Sequence, residues 1–157
     1  MIIGNIFRAA RLLCLSAGIV LVLFVFSSQT KAAMDDAGAI IGVVSAFYDK
    51  YLKLDWTDEF EFEPWLQQQP EVDAALVEKI KNLFEEAESE VGFLVYDPIL
   101  MAQDIPEGME YATPVIDGAR AELIAYTLWG EDSKAAIRVL LTKREGAWRI
   151  VDIDSAD

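Results

Sequence analysis

Apolar positions change their spacing as the chain proceeds, and the changes divide it into parts. An unbroken apolar run extends from Leu12 to Phe26. Beyond Asp35 and Asp36, both suited to cap a helix, Ala37, Ile40, Ile41, Val44, Phe47, Tyr48, Tyr51 and Leu52 recur every three or four positions and predict a helix over 36–54. Val72, Leu76, Ile80, Leu83, Phe84 and Ala87 predict a second helix over 70–90. Pro70 stands at its first position, Glu71 and Asp73 lie near the positive end of its dipole, and Gly92 marks its stop. Between them, Asp55 to Gln69 reads as a loop of acids and aromatics with a short helix at Glu63 to Gln68. Asp97-Pro98 and Ile105-Pro106-Glu107-Gly108 bracket a compact loop.

The last third reads as strands. Tyr111–Ile116, Ala119–Trp129, Lys134–Lys143 and Ala147–Ile153 are separated by Asp117-Gly118, by Gly130 to Ser133 and by Arg144-Glu145-Gly146. These runs lie too close in sequence for crossover helices, so they pair antiparallel. The expected class is α+β: long N-terminal helices packed on a curved antiparallel sheet of about four strands, preceded by a signal helix.

The leading apolar run supplies that signal helix. Arg8 and Arg11 precede it, and Ser27 to Ala32 form a polar exit with Thr30 and Ala32 as the small residues before a cut. Leu12–Phe26 spans roughly 22 Å as a helix, short of a hydrocarbon layer of about 30 Å, which favours a cleaved signal over a retained anchor. Cys14 follows Arg11-Leu12-Leu13, without the small residue that precedes a lipid-anchored cysteine. The expected organisation is a signal peptide over 1–32 and a single domain over 33–157, located in the periplasm. Membrane contact is expected only if the segment stays uncut.

Charge narrows the choice of partners. The chain has 13 basic and 27 acidic residues and a net charge of −14. Arg8, Arg11 and Lys31 all fall in the first 32 residues, so 33–157 keeps 10 basic against 27 acidic residues, a net −17. Such a surface repels nucleic acid and anionic lipid and suits a basic protein or a small ligand. There is no histidine, and the single cysteine lies in the signal run. Catalytic triads, thiol nucleophiles, disulfides and His- or Cys-based metal sites are thereby excluded, leaving carboxylate, tyrosine, lysine and serine chemistry. No cofactor and no metal is expected.

Three passages carry a family resemblance: Phe47-Tyr48-Asp49-Lys50-Tyr51-Leu52, then Tyr96-Asp97-Pro98-Ile99-Leu100-Met101-Ala102-Gln103-Asp104-Ile105-Pro106, then Ala147-Trp148-Arg149-Ile150-Val151-Asp152-Ile153. They resemble the exported bacterial proteins of the domain of unknown function 3828 family, over most of 33–157. The final Trp-x-Ile-x-Asp-Ile is also similar to the end of nuclear transport factor 2-like (cystatin-like) domains. The resemblance implies an envelope location and a cone-like fold with a pocket between the long helix and the sheet. It implies no established reaction, and a fold by itself grants none.

The candidate contact residues are Asp97, Gln103, Asp104, Tyr48, Tyr51, Trp65, Trp129 and Arg138. Asp97, Gln103 and Asp104 supply oxygens for a ligand, a partner or a calcium ion, or Asp97 accepts the N–H groups of the turn that it begins. Tyr48, Tyr51 and Tyr126 with Asp97 or Asp104 are the types that carboxylate–tyrosine acid–base catalysis needs. Trp65 and Trp129, with Trp56 and Trp148, are a ligand wall or part of the core. Arg120, Arg138 and Arg149 line one sheet face, as an anion pocket or paired with acids such as Glu122. Asp55 to Glu63 offers an acidic, aromatic patch for a basic protein. The leading functional reading is a soluble periplasmic module that binds a protein or small ligand. An immunity-type inhibitor of a secreted cell-envelope hydrolase and a small acid–base enzyme are the alternatives.

Overall fold

A computed structural model describes residues 34–55, 61–90, 94, 96–130 and 133–156. The expected signal peptide, Trp56 and Phe60 of the acidic–aromatic stretch, and the helix stop at Gly92 lie outside the described residues. The chain divides into two units, Met1–Asp36, of which only 34–36 are described, and Ala37–Asp157, which carries the fold. No helix of the described residues is long and apolar enough to cross a membrane.

Helix α1 covers 34–51 and ends three residues earlier than its periodicity suggests. Ile40, Val44, Phe47, Tyr48 and Tyr51 form its buried face, each at most 1% exposed. Leu52 N–H to Tyr48 O at 2.9 Å and Leu54 N–H to Tyr51 O at 3.1 Å close its last turn. Helix α2, Phe62–Gln67, is the short helix expected near Glu63, and Leu66 anchors it in the core.

Helix α3 spans Ala74–Glu90, so the helix expected from Pro70 begins four residues later. Asp73 caps it, its Oδ1 accepting the Ala75 N–H at 3.0 Å. Residues 70–72 instead turn and lie along strand β5, Ala147–Ser155, where Val72 forms a parallel bridge with Ile150. Asp73 N–H donates to Ile150 O at 2.9 Å and Ile150 N–H to Glu71 O at 2.8 Å. An otherwise open strand edge needs those partners, and satisfying it outweighs a first helical turn that Pro70 would have favoured.

The sheet is antiparallel, in the order β1 (Gly108–Tyr111), β3 (Arg120–Trp129), β4 (Ser133–Arg144), β5, with β2 (Val115–Asp117) also on β3. The single strand expected over Tyr111–Ile116 is therefore two. Tyr111 pairs with Ala125 and Val115 with Glu122; Ala112 N–H still donates to Ile124 O at 2.9 Å, and Thr113 and Pro114 break the ladder beyond it. Pro114 has no N–H to donate, which is why the pairing stops there. The two-residue turn between β4 and β5 places Glu145 at φ 53° and Gly146 at φ 83°, the mirror-image conformation that matches strand twist.

Three strands present alternating residues to the core: Ala121, Leu123 and Ala125; Ile137, Val139 and Leu141; Trp148, Ile150 and Ile153. In the last set the spacing slips from two to three. Leu140 pairs with Asp152 but Leu141 pairs with Ile150, so Val151 is the extra residue of a β-bulge. Without it, Trp148 and Ile150 would face away whenever Ile153 faced in. Leu76 and Ile80 of α3 join this core at 0% and 1% exposure. Three helices packed on an antiparallel sheet, among the described residues, make the expected α+β class.

Candidate functional site

The loop after α3 is built around Asp97. Its N–H donates to Ala102 O at 2.7 Å, closing the loop, while its Oδ1 accepts N–H bonds from Ile99 at 2.8 Å and Leu100 at 3.0 Å. An aspartate at the first position of a turn makes such bonds from local chemistry alone. Met101 adopts a left-handed φ of 50° as the chain turns back toward Ala102. Two tyrosines of α1 then fasten the loop: Tyr51 Oη donates to Asp97 Oδ2 at 2.6 Å, and Tyr48 Oη donates to Ile99 O at 3.1 Å.

These tyrosines are held in their protonated form. Burial, above all, raises the pKa of both Tyr48 and Tyr51 well beyond the ordinary phenol value, and the Asp97 charge adds to it. Tyr111, on β1, is pushed up to about 12 by burial and by Asp49. The pair an acid–base enzyme needs is thus present in type, yet Asp97 already accepts three hydrogen bonds. The arrangement is a clamp: neutral phenols donate, and a carboxylate fixes a turn.

The other candidates are distributed around this clamp. Gln103 and Asp104 are exposed at the end of the loop. Among the described residues no group of three or more His, Cys, Asp or Glu converges to hold a metal ion. Trp65 of α2 is half-buried, its ring 5.6 Å from that of Tyr51 and 6.0 Å from that of Phe47. Tyr48, Tyr51, Asp97 and Trp65 therefore share one neighbourhood, between α1, α2 and the loop. Trp129 lies at the end of β3 opposite Ser133, and Trp148 is core at 4% exposure.

Strand register puts the three arginines on one face. Arg120 pairs with Thr142, which pairs with Arg149, and Arg138 lies four residues before Thr142 on the same strand. This is the face turned away from the core. Arg138 Nη2 is 3.4 Å from Asp154 Oδ2, and Arg149 Nη1 donates to Pro70 O at 2.9 Å, so cross-strand and backbone partners engage two of the three.

One feature was foreseen only at its edge, through Phe62 and Glu63 at the end of the acidic, aromatic stretch. Between α2 and α3 runs a groove of about 250 Å³, floored by Phe62, Leu66, Val77, Ile80 and Phe84. Glu63, Lys81, Glu85 and Glu88 form its rim. The signal was present in the apolar stripe of the second helix, which is wider than one face needs; what the stripe meets depends on where α2 packs.

No family model matches this chain, and no curated protein matches it. Solved structures do share the fold. A chain of the type VI effector–immunity complex Tae3–Tai3 from Ralstonia pickettii, in its selenomethionine form, aligns with a TM-score of 0.54 at 18% identity, over 74% of this chain and 95% of that chain. The native form of the same complex gives 0.53 at 16% identity, over 74% and 94%. A protein of unknown function from Bacteroides thetaiotaomicron gives 0.58 at 20% identity, over 82% and 98%. At these identities the likeness is one of fold.

Proposed function

We propose that this chain is an exported binding domain of the immunity type, which neutralises a basic effector acting on the cell envelope by binding it. The observation that carries the reading is the fold match to nearly the whole of a chain in an effector–immunity complex. Composition supports the immunity side: residues 33–157 contain no histidine or cysteine, so Ser-His-Asp and Cys-His centres are ruled out. The interior supports binding at the surface over catalysis within. Val44, Phe47, Tyr48, Leu123 and Ile137 fill the core at 0% exposure, and the Tyr51–Asp97 contact is committed to holding a loop.

A net −17 over residues 33–157 supports a basic partner, which such a surface would attract from a distance. A protective inhibitor must also sit where the effector works, which agrees with a leader cut after Ala32 and a periplasmic location. The resemblance to the domain of unknown function 3828 family implies the same location.

Capture from the envelope tests this reading. The full chain, exported with a C-terminal tag, is expected to retain a basic envelope hydrolase at low ionic strength and release much of it at high salt. Equimolar addition is expected to abolish that hydrolase's activity. Recovery of no hydrolase at low salt, or a captured hydrolase that works undiminished, would overturn the proposal.

A further inference from the structure

We infer that the groove between α2 and α3 is the docking site for an apolar segment of the partner protein flanked by lysine or arginine. The inference rests on the partner-binding reading and names the surface that performs it. Phe84 is 41% exposed, whereas Leu76 and Ile80, earlier on the same helix, are at most 1% exposed. The apolar stripe of α3 thus runs on past the part that the fold covers. The Phe62 and Phe84 ring centroids are 5.8 Å apart, which gives the groove an aromatic wall of the kind that receives a buried anchor.

Charge specifies what enters. Glu63, Glu85 and Glu88 stand on the rim, and the one rim cation, Lys81, is 3.9 Å from Glu85. Helix α3 carries no basic residue in its last turn, so Glu86 and Glu88 approach the negative end of the helix dipole with no cation there, and Glu85 has Lys81 at 3.9 Å. Glu85 and Glu88 are also like-charged neighbours at i, i+3. Both effects destabilise the free helix, and a cationic segment would relieve both.

Size and symmetry disfavour the other occupants. About 250 Å³ falls below the range of about 300 to 1,000 Å³ usual for drug-sized ligands and suits one or two side chains. A second copy would bring the same glutamates against themselves across a twofold axis. An anionic membrane would meet the same repulsion.

The probe is a synthetic amphipathic Leu/Lys helix, titrated into the isotope-labelled, exported full chain and followed by amide NMR. Shift changes are expected to concentrate on residues 62–66 and 77–88, and a peptide with serine in place of leucine is expected to lose binding. Glu85→Gln/Glu88→Gln is expected to weaken peptide binding about tenfold or more, a loss of about 1.4 kcal/mol, while raising the thermal midpoint. Phe84→Ala is expected to weaken binding by a similar factor. Shift changes scattered over the acidic surface, equal binding of the serine peptide, or a raised midpoint with unchanged affinity would overturn the inference. So would a dimer that Phe84→Ala dissolves, because the groove would then belong to a second copy. Failure of the peptide to dock refutes the groove and leaves the partner reading to the capture experiment. Failure of capture with docking intact refutes the partner reading alone.

Discussion

At the scale of single residues, the hydroxyl of Tyr51 does what no local group could, carrying a hydrogen bond from α1 to a carboxylate 46 positions away. Tyr51→Phe leaves the Asp97 carboxylate short of one donor and is expected to destabilise the fold by about 1.5–3 kcal/mol, as for bonds to charged groups. Tyr48→Phe removes a bond to a neutral carbonyl and should cost about 0.5–1.5 kcal/mol; urea midpoints of the two variants give the comparison. Tyr111 adds a dependence on pH. Its pKa is raised to about 12, so the folded chain holds that proton more tightly than the unfolded chain does. Its contribution is complete below about pH 10, the ordinary phenol value, and is lost as pH climbs through about 12. A urea midpoint that falls over that window, and falls less in Tyr111→Phe, is the expected result. Asp97 as the organiser of a turn was legible in the sequence, because its bonds reach only two and three residues ahead. Its tyrosine partner was legible only as a residue type, since contact across 46 positions depends on how a helix and a loop pack.

Elements show the same division between local and distant causes. The helices, the strands and their order follow from spacing, and the ends of β3, β4 and β5 lie within two residues of those that the pattern gives. The start of α3 does not, because Pro70 suits a first helical position and a turn equally well. What decides between them is the edge of β5, which needs Glu71 and Asp73 as partners. Asp73→Ala removes the cap on Ala75 and the partner that Arg144 Nε finds at 3.2 Å. The exposed arginine contributes little, so the expected loss is about 1 kcal/mol from the cap, rising to about 2 kcal/mol in a buried setting. Asp73→Asn keeps the acceptor and should retain most of that stability, which thermal melts of the two variants would reveal. The β5 bulge escaped the sequence for a related reason: Trp148, Ile150 and Ile153 are all apolar, and nothing local says that Val151 must be passed over.

At the scale of the whole molecule, charge was legible and the candidate binding surface only at its Phe62–Glu63 end. Net charge is a sum over residues, whereas the groove exists only because α2 lies against α3. The core itself ties distant parts together: β5 pairs along β4 for most of its nine residues and holds the Glu71–Asp73 segment with its other edge. Joining Val72 to Ile150 closes a loop that takes in most of the domain, and such closure is entropically costly and slow. The seat of α3 is therefore unfinished until β5 has left the ribosome. A chain built this way stays unlocked until its last strand arrives, so loss of β5 would leave α3 without a seat rather than merely narrow the sheet.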